Sequence, residues 1–306
     1  MKTVRLLAAM LVTVLAARAL AAAEDAGNTL SSILVPAEDW QLAVDGLAFA
    51  DGPSCDAEGN LYFSNMRATP AAIYKLSPDG KRTKVVEANM SGTKLGPDGR
   101  LYACGDGKVI AVELPSGKIT VLAENVQPND LVVSHRGLVY ITETKKQQVT
   151  LLDPNTRQPK AVDTGIAAPN GITLSPDQKT LLVSDSRGVN LYAFKIQDDG
   201  TLAGKTALAT LKTPPSKPGA SGGDGMAMDS TGRCYVSSAV GVQVVDSGGK
   251  LLGVIPKPVP DGPLTSVGFA GPNREYLYAT CRDKLYRRKT AARGVVFFEA
   301  PVEGKK

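Results

Sequence analysis

Short runs of bulky β-forming residues recur along the chain, each reached through a turn signal and ending on small or polar residues. Six of them align: GNLYFSN (59–65), GRLYACG (99–105), GLVYITE (137–143), KTLLVSD (179–185), GRCYVSS (232–238) and EYLYATC (275–281). Their last residues are separated by 40, 38, 42, 53 and 43 positions. Pro97-Asp98-Gly99, Pro176-Asp177 and Ser230-Thr231-Gly232 belong to residue types that favour tight turns. A second, alternating segment follows each run, at 72–76, 108–114, 148–153, 189–194, 241–246 and 284–288. A more polar strand such as 118–122 then completes the unit. Many short strands at a period near forty predict an all-β repeat architecture. Four strands per unit and six units predict a six-bladed β-propeller with four-stranded blades. The stretch 213–223, rich in Pro, Ser and Gly, reads as a surface loop. Ring closure needs one more strand to cover exposed edges, and residues 40–44 are expected to supply it beside 295–298.

Composition changes the picture at the start of the chain. Lys2 and Arg5 head an apolar run from Leu6 to Ala17, and small residues at 19–23 form A-x-A sites. That is the layout of a secretory signal peptide. The run is shorter than the ~20 apolar residues a spanning helix needs. Residues 1–23 are therefore expected to be a leader cleaved near Ala21 or Ala23. Residues 24–306 are expected to be one propeller domain, periplasmic or extracellular, with no membrane span. Losing the leader removes Lys2, Arg5 and Arg18 and no acid, so the formal charge of the 306-residue chain falls from +5 to +2. Such a balance offers no basic face for nucleic acid, and no stretch points to a protein partner. Cys55, Cys104, Cys234 and Cys281 show no C-x-x-C or zinc-type spacing. Buried free thiols are expected, one disulfide between neighbouring units being the alternative.

Register places the candidate chemistry. Counting back 14 residues from the ends of the aligned runs reaches Asp51, Ser91, Asn129 and Asp224; counting back 15 and 16 in the fourth and sixth units reaches Asn170 and Thr265. All six carry side-chain oxygen, and all stand where a blade's innermost strand begins, so they should ring one mouth of the channel. Asp51, Asn129, Asn170 and Asp224 supply two carboxylates and two amide carbonyls, a set that suits a hard cation such as Ca²⁺. It argues against a dedicated zinc or copper site. The alternative is that these residues only satisfy turn backbones.

Asp51-Gly52-Pro53, Pro128-Asn129-Asp130, Pro169-Asn170-Gly171 and Asp224-Gly225-Met226-Ala227 occur in an order that resembles the gluconolactonase / regucalcin (senescence marker protein) family of six-bladed propellers. The resemblance runs over nearly the whole of 24–306. It implies a catalytic divalent metal held by Asp51, Asn170 and Asp224, with Asn129 beside them on metal or substrate. Ca²⁺ is the first choice of ion, and Zn²⁺, Mg²⁺ and Mn²⁺ are the others. The chain departs from the pattern at three places: Asp51 stands where Glu is usual, Cys55 where Trp is common, and Gln127 where some members bind substrate through Arg.

His135 is the only histidine, and its turn lies on the face opposite the polar ring, which disfavours histidine-based mechanisms. No Gly-x-Ser-x-Gly elbow occurs either. The reaction available to this set is metal-assisted hydrolysis of an ester or lactone carbonyl, with Asp224 as ligand and general base. Asn129, Gln127 and Arg187 are the candidate substrate contacts. Other polar strand ends near the mouth are Asn65, Arg67, Asp106, Glu143, Lys145, Asp185 and Arg282. The expected function is thus a metal-dependent hydrolase that opens a sugar lactone. The rival reading is a non-catalytic exported propeller with a structural Ca²⁺ that binds a sugar or a protein.

Overall fold

The computed structural model describes residues 29–302. The leader assigned to residues 1–23 lies outside the described residues. Six four-stranded antiparallel sheets form the blades. The first holds β2 (Ala50–Cys55), β3 (Leu61–Asn65), β4 (Ala72–Leu76) and β5 (Arg82–Val86). The second holds β6 (Gly92–Leu95), β7 (Leu101–Gly105), β8 (Lys108–Val112) and β9 (Ile119–Glu124). In the third are β10 (Asp130–Val133), β11 (Val139–Glu143), β12 (Gln148–Leu152) and β13 (Lys160–Thr164). The fourth comprises β14 (Pro169–Leu174), β15 (Thr180–Asp185), β16 (Asn190–Ile196) and β17 (Leu202–Thr210). The fifth comprises β18 (Met226–Met228), β19 (Cys234–Ser238), β20 (Gly241–Val245) and β21 (Leu251–Ile255). The sixth is completed from both chain ends, by β22 (Ser266–Ala270), β23 (Tyr276–Cys281), β24 (Lys284–Lys289) and β1 (Gln41–Val44). Innermost strands of successive blades touch, and β2 touches β22, so the ring is closed. It is a six-bladed β-propeller.

The second strand of a blade is covered on both faces by its neighbours. This is why LYFSN, LYACG and VYITE read as unbroken buried runs rather than as an alternation. Outer strands such as β5 and β13 are exposed or half-buried and correspondingly polar.

Carboxylates lock the turns between first and second strands. Asp229, fully buried, accepts from Arg233 Nε at 2.7 Å, Tyr235 OH at 2.9 Å and Thr231 N at 2.9 Å. Asp98 repeats the device with Arg100 Nε and Tyr102 OH at 2.6 and 2.8 Å. The recurrent G-R-x-Y is therefore a structural signature as well as a strand pattern. Asp229→Ala leaves a buried arginine without its partner and is expected to cost about 3–5 kcal/mol. The check is a lower urea midpoint at unchanged slope; a wild-type midpoint would show that the network does not hold the fifth blade.

Closure differs from the expectation in one respect. Strand β1 does complete the last blade, but beside β24. Residues 295–298 instead cross the lower end of the channel. Val295 N donates to Met228 O at 3.0 Å and Gln178 Nε2 to Phe297 O at 3.1 Å. His135 Nδ1 lies 3.0 Å from Phe298 O, so that nitrogen carries the proton, because a carbonyl only accepts. The lone histidine ties down this segment on the face opposite the polar ring.

All four cysteines are buried and free. Burial, reinforced by Asp56, pushes the Cys55 thiol up to about 12. Burial likewise carries Cys281 to about 11, so these thiols are unreactive hydrophobes. Among the described residues, no helix is long and apolar enough to cross a membrane.

Candidate metal centre

The six ring positions fall where register placed them: Asp51 and Asn170 within β2 and β14, the others one or two residues before β6, β10, β18 and β22. The residue after each one explains why the motifs read D-G or N-G. A Cβ on Gly171 would stand 2.0 Å from Asp224 O, and one on Gly52 2.1 Å from Ser91 O. Neighbouring backbones occupy those points, so at these two positions only a residue without a Cβ fits.

A second set of side chains fixes the ring from behind. Thr142 Oγ1 donates to Asn170 O at 2.5 Å, Ser184 Oγ to Asp224 O at 3.2 Å and Ser237 Oγ to Thr265 O at 2.9 Å. Each hydroxyl comes from the second strand of the preceding blade. Cys104 Sγ makes the same link to Asn129 O at 3.6 Å. Ser64, the equivalent hydroxyl of the first blade, has no hydrogen-bond partner among the described residues.

The like charge of Asp51 opposes ionisation of Asp224. Burial, then the like charge of Asp130, raises the Asp51 carboxyl to about 7. The chief opposing influence is the Gly52 N–H, which donates to Oδ1 at 2.8 Å. Burial first, then Asp51 and Asp130, holds Asp224 well above the usual carboxylate range, although Gly225 N donates to its Oδ1 at 2.9 Å. Asn170 Oδ1 is buried without a hydrogen-bond partner among the described residues. An orphaned amide oxygen costs about 1–3 kcal/mol and calls for an explanation. A hard cation supplies it: the ion would satisfy Asn170 and neutralise two mutually repelling carboxylates. The residues present fit a divalent metal. Among the described residues no three His, Cys, Asp or Glu side chains group tightly enough to hold an ion by themselves, so the donor set has to mix carboxylates with amides.

Asp130 is the residue that sequence reasoning passed over. It is buried, and burial raises its carboxyl. Its Oδ1 points to where a Gly92 Cβ would stand, 2.5 Å away. A signal for it existed: the positions following the ring residues are Gly52, Gly92, Asp130, Gly171, Gly225 and Ser266, small in every blade except the third.

The structure separates the remaining candidates. Asn129 is half-buried on the ring, whereas Gln127 and Arg187 are exposed at the rim. Three of the polar strand ends hold crossover loops in place. Asn65 Oδ1 accepts from Ala48 N at 2.8 Å and Asp185 Oδ1 from Ala168 N at 3.0 Å. Glu143, 1% exposed, accepts from Gln127 N at 2.7 Å, Thr150 Oγ1 at 2.6 Å and Lys146 Nζ at 2.8 Å. These carboxylate and amide groups are committed to the backbone that carries the ring, and so they position it.

Comparison with known proteins bears on the fold and the family. Gluconolactonase of Zymomonas mobilis is 26% identical over 305 residues, spanning 87% of this chain and 85% of its own. Lactonase drp35 of Staphylococcus aureus is 26% identical over 224 residues, 66% of this chain and 67% of its own. A solved gluconolactonase from Xanthomonas campestris shares the fold with a TM-score of 0.72 at 23% identity, over 86% of this chain and 93% of that one. A calcium-binding regucalcin from Agrobacterium tumefaciens does so with 0.72 at 16% identity, over 87% and 98%. The family model SMP-30/Gluconolactonase/LRE-like region matches residues 49–282. This chain belongs to that family.

Proposed function

We propose that this protein is a divalent-metal-dependent lactonase acting on sugar lactones, with the ion held by Asp51, Asn170 and Asp224 and with Asn129 beside them. The observation that carries the reading is the buried Asn170 Oδ1, without a hydrogen-bond partner among the described residues, on the same ring as Asp51 and Asp224, whose ionisation is opposed by burial and neighbouring like charge. Relatives named gluconolactonase and lactonase support the same class of substrate. When bound, the cation supplies Lewis acidity to polarise the lactone carbonyl. Asp224 in its ionised form would take the proton of the attacking water. Its backbone is held by Ser184 and its Oδ1 by Gly225 N–H. Gln127, Arg187 and Asn129 would contact sugar hydroxyls from the rim and the ring. Ca²⁺ is the preferred ion, and export after loss of residues 1–23 as one propeller domain completes the proposal.

A second reading rests on Asp51 in place of Glu and Gln127 in place of Arg: a propeller that keeps a structural Ca²⁺ and binds a sugar or protein without turnover. Hydrolysis of glucono-1,5-lactone, followed by acid release, separates the two. The lactonase reading expects turnover that EDTA abolishes and Ca²⁺ restores. Ca²⁺-dependent thermal stabilisation without hydrolysis across a panel of lactones would favour the binding module.

A further inference from the structure

Arg67 is held more firmly than a rim residue needs to be. It follows β3, whose Asn65 and Ser64 pair with Ala50 and Asp51 of β2, so it emerges at the mouth end of the first blade. Its φ of 61° lies in the left-handed region, which a residue with a Cβ seldom adopts. Its N–H donates to Asn89 Oδ1 at 3.3 Å, and its guanidinium carbon stands 4.1 Å from the centre of the Phe49 ring. Phe49 is fixed in turn. Its N–H donates to Asn65 Oδ1 at 3.3 Å, and its carbonyl accepts from Met66 N at 2.8 Å. Phe49 stands two residues before the proposed ligand Asp51, so at most about 7 Å of chain separates their Cα atoms. An arginine is thereby stacked on an aromatic plate at the edge of the candidate metal centre.

Stacking uses the face of a guanidinium and leaves its N–H edge free. Among the described residues that edge makes no hydrogen bond and no ion pair. Glu87, on the loop that carries Asn89, is paired with Lys84. The tips of the equivalent hairpins carry mostly the same sign. Lys145, Arg187 and Arg282 are exposed and have no ion pair among the described residues, against Asp106 in the second blade and Ala239 in the fifth. Lys146 and Lys284, close by in sequence, are already paired, the first with Glu143 and the second with Asp45 and Asp283. A neutral sugar would leave this charge unused. A free guanidinium edge matches the oxygens of a carboxylate or a phosphate through two parallel N–H bonds.

We propose that Arg67 is a specificity-determining residue that binds an oxyanion on the substrate, so that the preferred substrates are sugar lactones carrying a carboxylate or a phosphate away from the ester. The inference rests on the lactonase reading above and deepens it. Arg67 acts on a group remote from the reacting carbonyl, so its loss raises KM for an anionic lactone more than it lowers kcat. A charge-assisted bond to a fixed arginine corresponds to about tenfold or more in kcat/KM. The other cationic tips steer anions toward the mouth, which makes the anionic reaction salt-dependent.

The experiment compares wild type, Arg67→Met and Arg67→Lys, each supplied with Ca²⁺, on two matched pairs of lactones. Glucono-1,4-lactone is set against glucaro-1,4-lactone, which adds a carboxylate, and glucono-1,5-lactone against 6-phosphoglucono-1,5-lactone, which adds a phosphate. Wild type is expected to favour the anionic member of at least one pair by about tenfold in kcat/KM; which pair responds identifies the oxyanion. Arg67→Met keeps the stem over Phe49 and removes the charge. It is expected to lower that preference about tenfold, chiefly through KM, and Arg67→Lys to restore part of it. Added salt should slow wild type on the anionic lactone more than it slows Arg67→Met. Should Arg67→Met not fold, Arg67→Gln is read in its place. Wild type that favours the neutral member of both pairs overturns the role of Arg67 and leaves the lactonase reading standing, as does a variant that slows both members of each pair by the same factor. Wild type that opens none of the four lactones overturns the lactonase reading. Calorimetric binding of glucarate and 6-phosphogluconate then decides Arg67 by itself: weakening of about tenfold in Arg67→Met supports its role, and equal or absent binding overturns it.

Discussion

Asp224→Asn is expected to lower kcat for sugar-lactone hydrolysis by about 10³-fold, within the range for loss of a general base, while the metal-free protein becomes more stable. The two effects come from one cause. Asp224 sits beside Asp51 and Asp130, and burial with their like charges penalises its ionised form. Asparagine keeps the shape and the Gly225 N–H contact to an oxygen, and it removes the charge. A fold strained by like charge at neutral pH thus loses part of that strain, and the thermal midpoint without metal should rise. Ca²⁺ should then raise the midpoint less than it does in wild type, because one of two carboxylate donors is gone. Activity, circular dichroism and the Ca²⁺-induced shift in midpoint together form the measurement. A folded variant with wild-type turnover would remove Asp224 from the chemistry. A large stability loss would mean that its carboxylate serves the fold.

Metal-free protein is expected to melt on the order of 5 °C lower at pH 8 than at pH 5, and saturating Ca²⁺ to abolish the difference. Asp51, raised to about 7, and Asp224, raised well above its ordinary 3.8, keep their protons in the folded state at pH values where the unfolded chain has released them. Stability from that difference is whole below about pH 4 and is lost as pH rises through the folded values. Carboxylates held low act in the opposite sense, but only in acid. Glu143, whose burial is outweighed by its bonds to Lys146, Thr150, Gln127 and Gln148, is one; its contribution disappears as pH falls below the ordinary glutamate value. The window from 5 to 8 therefore belongs to the mouth carboxylates. Bound Ca²⁺ requires them ionised, so affinity should rise across the same window and protons should be released on binding. A flat melting profile in EDTA would contradict the raised carboxyls. A slope unchanged by Ca²⁺ would show that the ion binds elsewhere.

The positioning role of the polar strand ends bears on how substrate contacts are sought. Asn65, Glu143 and Asp185 look from sequence like the ligand-facing groups of a mouth. Each instead accepts backbone N–H groups 16 or 17 residues upstream. Buried N–H groups of a crossover need acceptors, and the end of the second strand is where one can be offered. Gln127 and Arg187 are exposed beside them, as are Arg67, Asp106, Lys145 and Arg282, and the proposed function draws its sugar contacts from such rim residues.

What the sequence by itself determined is whatever repeats. Blade number, strand order and the register of Asp51, Asn129, Asn170 and Asp224 all follow from a period that every unit obeys, because each blade buries the same strand between the same kinds of neighbour. Glycines after the ring residues are legible for the same reason. What breaks the repeat was decided only in three dimensions. Asp130 occupies an ordinary inner-strand position, and it gains meaning from projecting toward Gly92 of the neighbouring blade. The hydroxyls of Thr142 and Ser184 look like strand-end filler until the carbonyls they hold turn out to be those of Asn170 and Asp224. Residues 295–298 carry a strand-like pattern, yet β24 had already paired with β1, and an apolar segment left without an edge closed the channel instead. Local pattern reports what a residue is; only packing between blades decides which charges and donors it meets.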